Sequence, residues 1–237
     1  MKKMNKFSRN MVLVVSLTLA SLFCIPSAWS ADVPSNSIRI GFYDVFYHTS
    51  ADDLQGPYVP SGVNVNVRDV QTLYLAYVRR LNADWDFEFA FGVPPKTETE
   101  GKGPATLGSV PYNKQVISTA KWFAPTVLFN YNLLDESHKF RPYIGAGINY
   151  TTFYDRRSTA AGDAASGGPT KISLSRSIGP AATAGLSYKP APNWGVYVSY
   201  SITRVNSHLT TNTAGVIRET NIKFGPQALV VSVGYAF

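Results

Sequence analysis

Cysteine is nearly missing from this chain: the single one, Cys24, stands in an N-terminal stretch that reads as an export signal. A mature chain without cysteine has neither a disulfide framework nor thiolate metal chemistry. That is informative in an exported protein, because the periplasm permits disulfides. Also lacking after residue 31 is any apolar run of the ~20 residues a helix needs to cross a bilayer. If the mature chain spans a membrane it must do so as a closed barrel, because only helices and edge-free sheets satisfy every backbone hydrogen bond in hydrocarbon. Phosphate-cradling glycine loops and Cys/His metal constellations are missing too, and the pair Asp52-Asp53 is too sparse for a calcium loop. No cofactor is expected. The histidines His48, His138 and His208 fit no catalytic motif; His48 near Asp44 or Asp52, with Ser207 and His208, is the nearest approach to one, and no enzyme is expected.

The excess of positive charge is misleading. Lys and Arg number 22 against 15 acidic residues, a formal charge of +7. Residues 1–30 read as a cleaved secretory signal, with Lys2, Lys3, Lys6 and Arg9 as its basic start, an apolar stretch over 11–23, and Ala28-Trp29-Ser30 before a cut after Ser30. Phe23, directly before Cys24, is not the small residue that lipid attachment requires. Without this segment 18 basic residues face 15 acidic ones, so charge gives no reason for a nucleic-acid partner.

Residues 31–237 alternate. Trp85, Phe87, Phe89 and Phe91 occupy the odd positions of one segment, with Asp86, Glu88, Ala90 and Gly92 between them. Trp194, Val196, Val198, Tyr200 and Ile202 repeat the pattern, as do Leu229, Val231, Val233, Tyr235 and Phe237. Period two with an apolar face turned one way and small or polar residues the other is the strand signature of a membrane barrel. The same parity puts Ile38, Ile40 and Phe42 outward on a first strand, Leu73, Leu75 and Tyr77 on a second, and Val127, Phe129 and Tyr131 on a fourth. Ile144, Ala146, Ile148 and Tyr150 mark a fifth, and Ala184, Leu186 and Tyr188 a sixth. The expectation is an all-β fold, an eight-stranded antiparallel transmembrane β-barrel, as one domain over 31–237. Links near 80–84, 134–139 and 189–193 are short, whereas those near 50–65, 94–115, 155–170 and 206–219 are long and rich in Gly, Pro, Ser and Thr. Short turns face the periplasm and long loops the exterior in outer-membrane barrels. Tyr77, Trp85, Tyr131, Tyr188 and Trp194 then share one level as an aromatic girdle. Tyr235 and Phe237 form the terminal signal expected to engage the barrel-assembly machinery.

The run Arg141-Pro142-Tyr143-Ile144-Gly145-Ala146-Gly147-Ile148-Asn149-Tyr150-Thr151-Thr152-Phe153 resembles the signature of the OmpW family, which includes the AlkL-type alkane-uptake proteins, and Val233-Gly234-Tyr235-Ala236-Phe237 is similar to that family's ending. The resemblance covers most of the mature chain in order. It implies a small barrel in the outer membrane of a Gram-negative bacterium, surrounded by outer-membrane lipid. Members are associated with passive uptake of small hydrophobic molecules, and some serve as bacteriocin or phage receptors.

An eight-stranded barrel is wide enough only for its own side chains or one small ligand. Arg39, Glu88 and Arg141 point inward near the periplasmic ends, where opposite charges can pair as a polar plug. Higher up, Ala90, Gly145, Gly147, Asn149, Thr183, Gly185, Ser199 and Ser201 are slim and are expected to leave a solute cavity. Pro125, Pro180 and Pro226 lack ladder N–H groups and mark either a lateral exit or bulges and strand ends. The expected function is passive uptake of small hydrophobic solutes with lateral release into the bilayer. The alternative is a filled barrel acting as a surface receptor or envelope stabiliser.

Overall fold

The computed structural model describes residues 35–107 and 110–237, so the signal reading and Cys24 lie outside the described residues. Eight strands, numbered here first to eighth, form the barrel: Asn36–Tyr47, Val70–Arg80, Trp85–Gly92, Thr126–Asn132, Phe140–Ser158, Ser177–Tyr188, Trp194–Thr203 and Pro226–Ala236. Each pairs antiparallel with its neighbour in sequence. The first meets the eighth from Ser37↔Ala236 to Tyr47↔Pro226. Closure leaves no edge, which is what a bilayer demands of a sheet.

The alternation in sequence becomes two faces of one wall. Ser37, Arg39 and Val45 are buried while Ile38, Ile40 and Phe42 are exposed, Phe42 at 74%. On the eighth strand Ala228, Val230 and Ser232 are buried, and Leu229, Val231, Val233 and Tyr235 are exposed. An outer surface this apolar suits hydrocarbon rather than water. Register is fixed by the same pattern. A slip of one residue would turn Arg39 into lipid, a cost of ~2–4 kcal/mol at the bilayer midplane.

Cross-strand pairing gathers the girdle at the short-turn end. Trp85 packs on Tyr131 with ring centroids 5.1 Å apart, Trp194 on Tyr235 at 5.1 Å, and Tyr188 stacks on Phe140 at 4.5 Å. Tyr77 donates its hydroxyl to Asn36 Oδ1 at 2.6 Å. Phe140, absent from the expected set, completes one of these pairs.

At the opposite end the long links are not loops. Asn64–Val67, Lys96–Lys102, Val116–Phe123 and the top of the fifth strand form one antiparallel sheet. Thr170–Leu174, Asn206–Thr213, Val216–Lys223 and Ser50–Ala51 form another. A composition of Thr, Ser and Asn suggests irregular chain, but β-branched residues alternate through 206–223, and Thr, unlike Ser or Gly, favours the pleated wall. Ala214 (φ 49°) and Gly215 (φ 96°) close the hairpin of Asn206–Thr213 and Val216–Lys223. Positive φ at both central residues is what a two-residue turn of right-handed strands requires.

Between the lower and upper walls the strands are interrupted at 48–49, 68–69, 93–95, 124–125, 175–176, 204–205 and 224–225. Several interruptions are bridged: His48 N–H donates to Gly225 O at 3.3 Å, Phe224 N–H to Val205 O at 2.9 Å, and Arg204 N–H to Pro180 O at 3.0 Å. Between the third and fourth strands the ladder reaches Ala90↔Thr126 and resumes at Lys96↔Lys121. Pro94, Pro95 and Pro125 lie in that gap and have no N–H to offer.

Candidate functional site

The lower lumen is occupied. Glu88 accepts from Arg39 Nη1 at 3.1 Å, from the Tyr74 hydroxyl at 2.6 Å and from Asn130 Nδ2 at 2.8 Å. The Arg39 guanidinium lies 3.7 Å above the Tyr197 ring centroid, a cation–π contact. Arg39, Glu88 and Asn130 are all at or below 5% exposure; the charges neutralise each other with both Glu88 oxygens engaged, while Arg39 Nε and Asn130 Oδ1 are buried without a partner.

Arg141 does not join them, contrary to the expected triad. Its Nε donates to Leu134 O at 2.9 Å and its Nη2 to Ala83 O at 2.8 Å. It therefore ties together two short turns, and carbonyls rather than a carboxylate satisfy it. A parity reading puts Arg141 inward but does not show how far below Glu88 it stands.

The slim residues are slim because their neighbours are large. A Cβ on Gly185 would stand 2.5 Å from the Tyr143 ring, one on Gly195 2.6 Å from the Tyr197 hydroxyl, and one on Gly145 2.0 Å from Asn130 Oδ1. On Gly147 it would meet Val127 O at 1.8 Å. Ala90 packs in a cluster with Tyr74, Ala76, Val78 and Val230. Ser199 stands opposite Gly185 in the ladder, and Ser201 donates to Thr183 Oγ1 at 2.9 Å. Of the eight residues expected to leave a cavity, Asn149 alone lines either of the two cavities described next.

The larger cavity lies higher, within the upper sheets. It measures about 140 Å³ and is lined mainly by apolar groups, among them Val63, Val65, Leu209 and Ile222. A volume of about 150 Å³ suffices elsewhere for a benzene ring. Burial pushes the Tyr112 phenol on its wall up to about 12, so it stays neutral. A smaller space of about 30 Å³ is lined by Val45, Ala124, Asn149, Thr151, Val205 and Pro226. Tyr47, Trp122, Phe153 and Phe224 line both. Phe153 and Phe224 stack at 5.2 Å, Tyr47 meets Phe224 at 6.3 Å, and Trp122 Nε1 donates to Thr97 Oγ1 at 2.8 Å. These rings form an aromatic partition between the two spaces.

The smaller space adjoins the gap in the wall. Asn149 Nδ2 donates to Thr126 Oγ1 at 2.8 Å and to Ala124 O at 3.2 Å, and Tyr150 N–H donates to Pro125 O at 3.0 Å, so the chain beside Pro125 is held to the fifth strand while its side facing the third strand is unpaired. The histidines considered above form no shared site: His208 Nδ1 lies 2.9 Å from Asn221 Oδ1, and His138 sits at a short turn beside Asp135.

Comparison with known proteins agrees with this architecture. The outer membrane protein W of Vibrio cholerae is 27% identical over 200 residues, covering 84% of this chain and 87% of the relative. A Pseudomonas aeruginosa protein, the dibenzothiophene metabolism operon protein PahQ, is 35% identical over 138 residues, 57% of this chain and 61% of that one. The crystal structure of the outer membrane protein OprG from Pseudomonas aeruginosa superposes with a TM-score of 0.77 at 21% identity, covering 86% of this chain and 96% of OprG. A family profile described as the OmpW family matches residues 35–237, the whole barrel with its upper sheets, and the chain belongs to that family of outer-membrane β-barrels.

Proposed function

We propose that the protein is a passive channel for small hydrophobic molecules, which enter the upper cavity from outside, cross the aromatic partition and leave sideways into the bilayer through the gap between the third and fourth strands. The observation that carries this reading is the position of the apolar cavity above a lumen filled by Arg39, Glu88, Tyr74, Tyr143 and Tyr197. A solute held there has no straight route to the periplasm. The incomplete ladder at Pro94, Pro95 and Pro125 is a break in the wall beside the smaller space, which Ala124 lines. The PahQ relative, named for a dibenzothiophene metabolism operon, supports the same solute class, since dibenzothiophene is a flat apolar ring system.

The test is uptake of a panel of alkanes, terpenes and aromatics by cells with and without the protein, together with Thr119→Trp. Thr119 is buried on the cavity wall, so a Trp there fills the space. Wild-type cells are expected to take up apolar solutes several-fold faster than cells lacking the protein, and Thr119→Trp to remove that gain while the barrel stays heat-modifiable. Equal uptake with and without the protein would overturn the reading.

A further inference from the structure

The hairpin strand Val216–Lys223 carries an inversion of the usual order. Ile217 is 50% exposed, whereas its neighbour Arg218 is 9% exposed. Parity aims Arg218, Thr220 and Ile222 inward, and Arg218 lines the larger cavity beside Leu209, Ile222 and Phe224. Its Nε donates to Pro57 O at 3.1 Å, which fixes the plane of the guanidinium. Its Nη1 is buried without a hydrogen-bond partner. Among the described residues lining the cavity Arg218 is the one charged side chain, and it forms no ion pair. A cation enclosed by apolar walls with an unused donor is costly unless something supplies the missing acceptor. A purely apolar solute cannot.

We infer that the cavity takes small amphiphiles that carry a carboxylate on an apolar body, with the carboxylate received by Arg218 and the hydrocarbon by Val63, Val65, Leu209, Ile222 and Phe224. This rests on the uptake reading above and narrows its solute class. A guanidinium presents N–H donors in a plane that matches a carboxylate, and a charge-assisted bond in a water-poor site is stronger than a neutral one. The volume sets the scale at a single ring or a short chain.

Benzoate and toluene are nearly the same shape and differ in charge, so they separate the two ideas. Full-length protein in lipid nanodiscs is equilibrated with each labelled probe at pH 7.5, as wild type, Arg218→Lys and Arg218→Met, with benzyl alcohol as a neutral oxygen-bearing control. Wild type is expected to bind benzoate more tightly than benzyl alcohol or toluene. Arg218→Met is expected to lose roughly tenfold or more in benzoate affinity, as loss of a buried charge-assisted bond implies, while toluene binding stays within about twofold. Arg218→Lys should retain part of the preference. Toluene binding with no preference for benzoate in wild type, or benzoate binding unchanged in Arg218→Met, would overturn the inference and leave the uptake reading standing. Binding of neither probe would overturn both. If Arg218→Met fails to fold, the wild-type order of benzoate, benzyl alcohol and toluene decides alone.

Discussion

Gly185 and Tyr143 stand opposite one another on the sixth and fifth strands, and the tyrosine ring fills the space a side chain at Gly185 would need, with its nearest ring atom 2.5 Å from that Cβ position. Small and large thus alternate across the ladder, so the lower lumen is packed like a protein interior rather than held open.

Gly185→Val is therefore expected to destabilise the barrel by about 1–3 kcal/mol through overpacking. Tyr143→Ala in the same chain should offset part of the loss, because the two side chains compete for one volume and their effects are not additive. Urea unfolding in lipid vesicles measures both. An unchanged midpoint in Gly185→Val would mean that the space is open.

Glu88 accepts three hydrogen bonds, from Arg39, Tyr74 and Asn130. Glu88→Ala leaves the Arg39 cation buried without its counter-charge, and the expected loss is about 3–5 kcal/mol. Replacing both partners, Arg39→Met with Glu88→Leu, should restore part of it, since no charge is left unpaired although the Tyr74 hydroxyl and the Asn130 amide lose their acceptor. If the double variant is no more stable than Glu88→Ala, the pair has a role beyond charge balance.

Much of the membrane wall was legible in the residues because its period is strict: Trp85, Phe87, Phe89 and Phe91 can face lipid in one register only. The Arg39–Glu88 contact was readable as two inward opposite charges at one end. Arg141 was misplaced because parity gives the face and not the height. The cavity was misplaced for a related reason: small residues announce space, yet whether a partner fills it depends on cross-strand register, as Tyr143 against Gly185 shows. Arg218 was missed because an arginine in a Thr- and Asn-rich hairpin reads as solvated until Ile217 is seen to take the outer face.

Lys189 gives a pH signature at the short turn between the sixth and seventh strands. Burial, with Arg80 and Arg141 nearby, lowers its pKa to about 8 from 10.5. The folded pKa lies below the unfolded one, so below about pH 8 both states carry the proton and the folded barrel bears the full penalty. From about 8 to 10.5 the unfolded chain binds the proton more tightly, and stability rises with pH across that window. Wild type should thus gain stability between pH 7.5 and 10 relative to Lys189→Met, which lacks the titration and should be the more stable of the two at pH 7.5. Parallel pH profiles for the two would contradict the assignment.

Thiol labelling tests orientation in a Cys24→Ser background, which removes the one cysteine of the sequence. Ala214→Cys, in the two-residue turn between Asn206–Thr213 and Val216–Lys223, should react with a membrane-impermeant maleimide on intact cells. Ala191→Cys, between the sixth and seventh strands, should react only after the outer membrane is permeabilised. The reverse pattern would invert the topology.

The lateral route depends on the ladder staying open at Val93-Pro94-Pro95 and Ala124-Pro125. Proline lacks the N–H that would close it, so Pro94→Thr with Pro125→Thr supplies two donors to facing segments that now run unpaired between Ala90↔Thr126 and Lys96↔Lys121. Pro180 is the control: it also lies in a strand, but opposite Ile148 within a continuous ladder, and its carbonyl already accepts from Arg204. If solutes leave through the gap, the Pro94 and Pro125 double variant should fold at least as well as wild type and take up apolar solutes several-fold more slowly, because an added backbone bond must break for each passage. Pro180→Thr should leave uptake unchanged. A fall in uptake for both variants would point to a general stiffening of the wall rather than a local exit. Unchanged uptake in the double variant would place the exit elsewhere, and the seam between the fifth strand and Thr170–Leu174, crossed by Arg156 reaching to Leu174 O at 3.5 Å, is where it would next be sought.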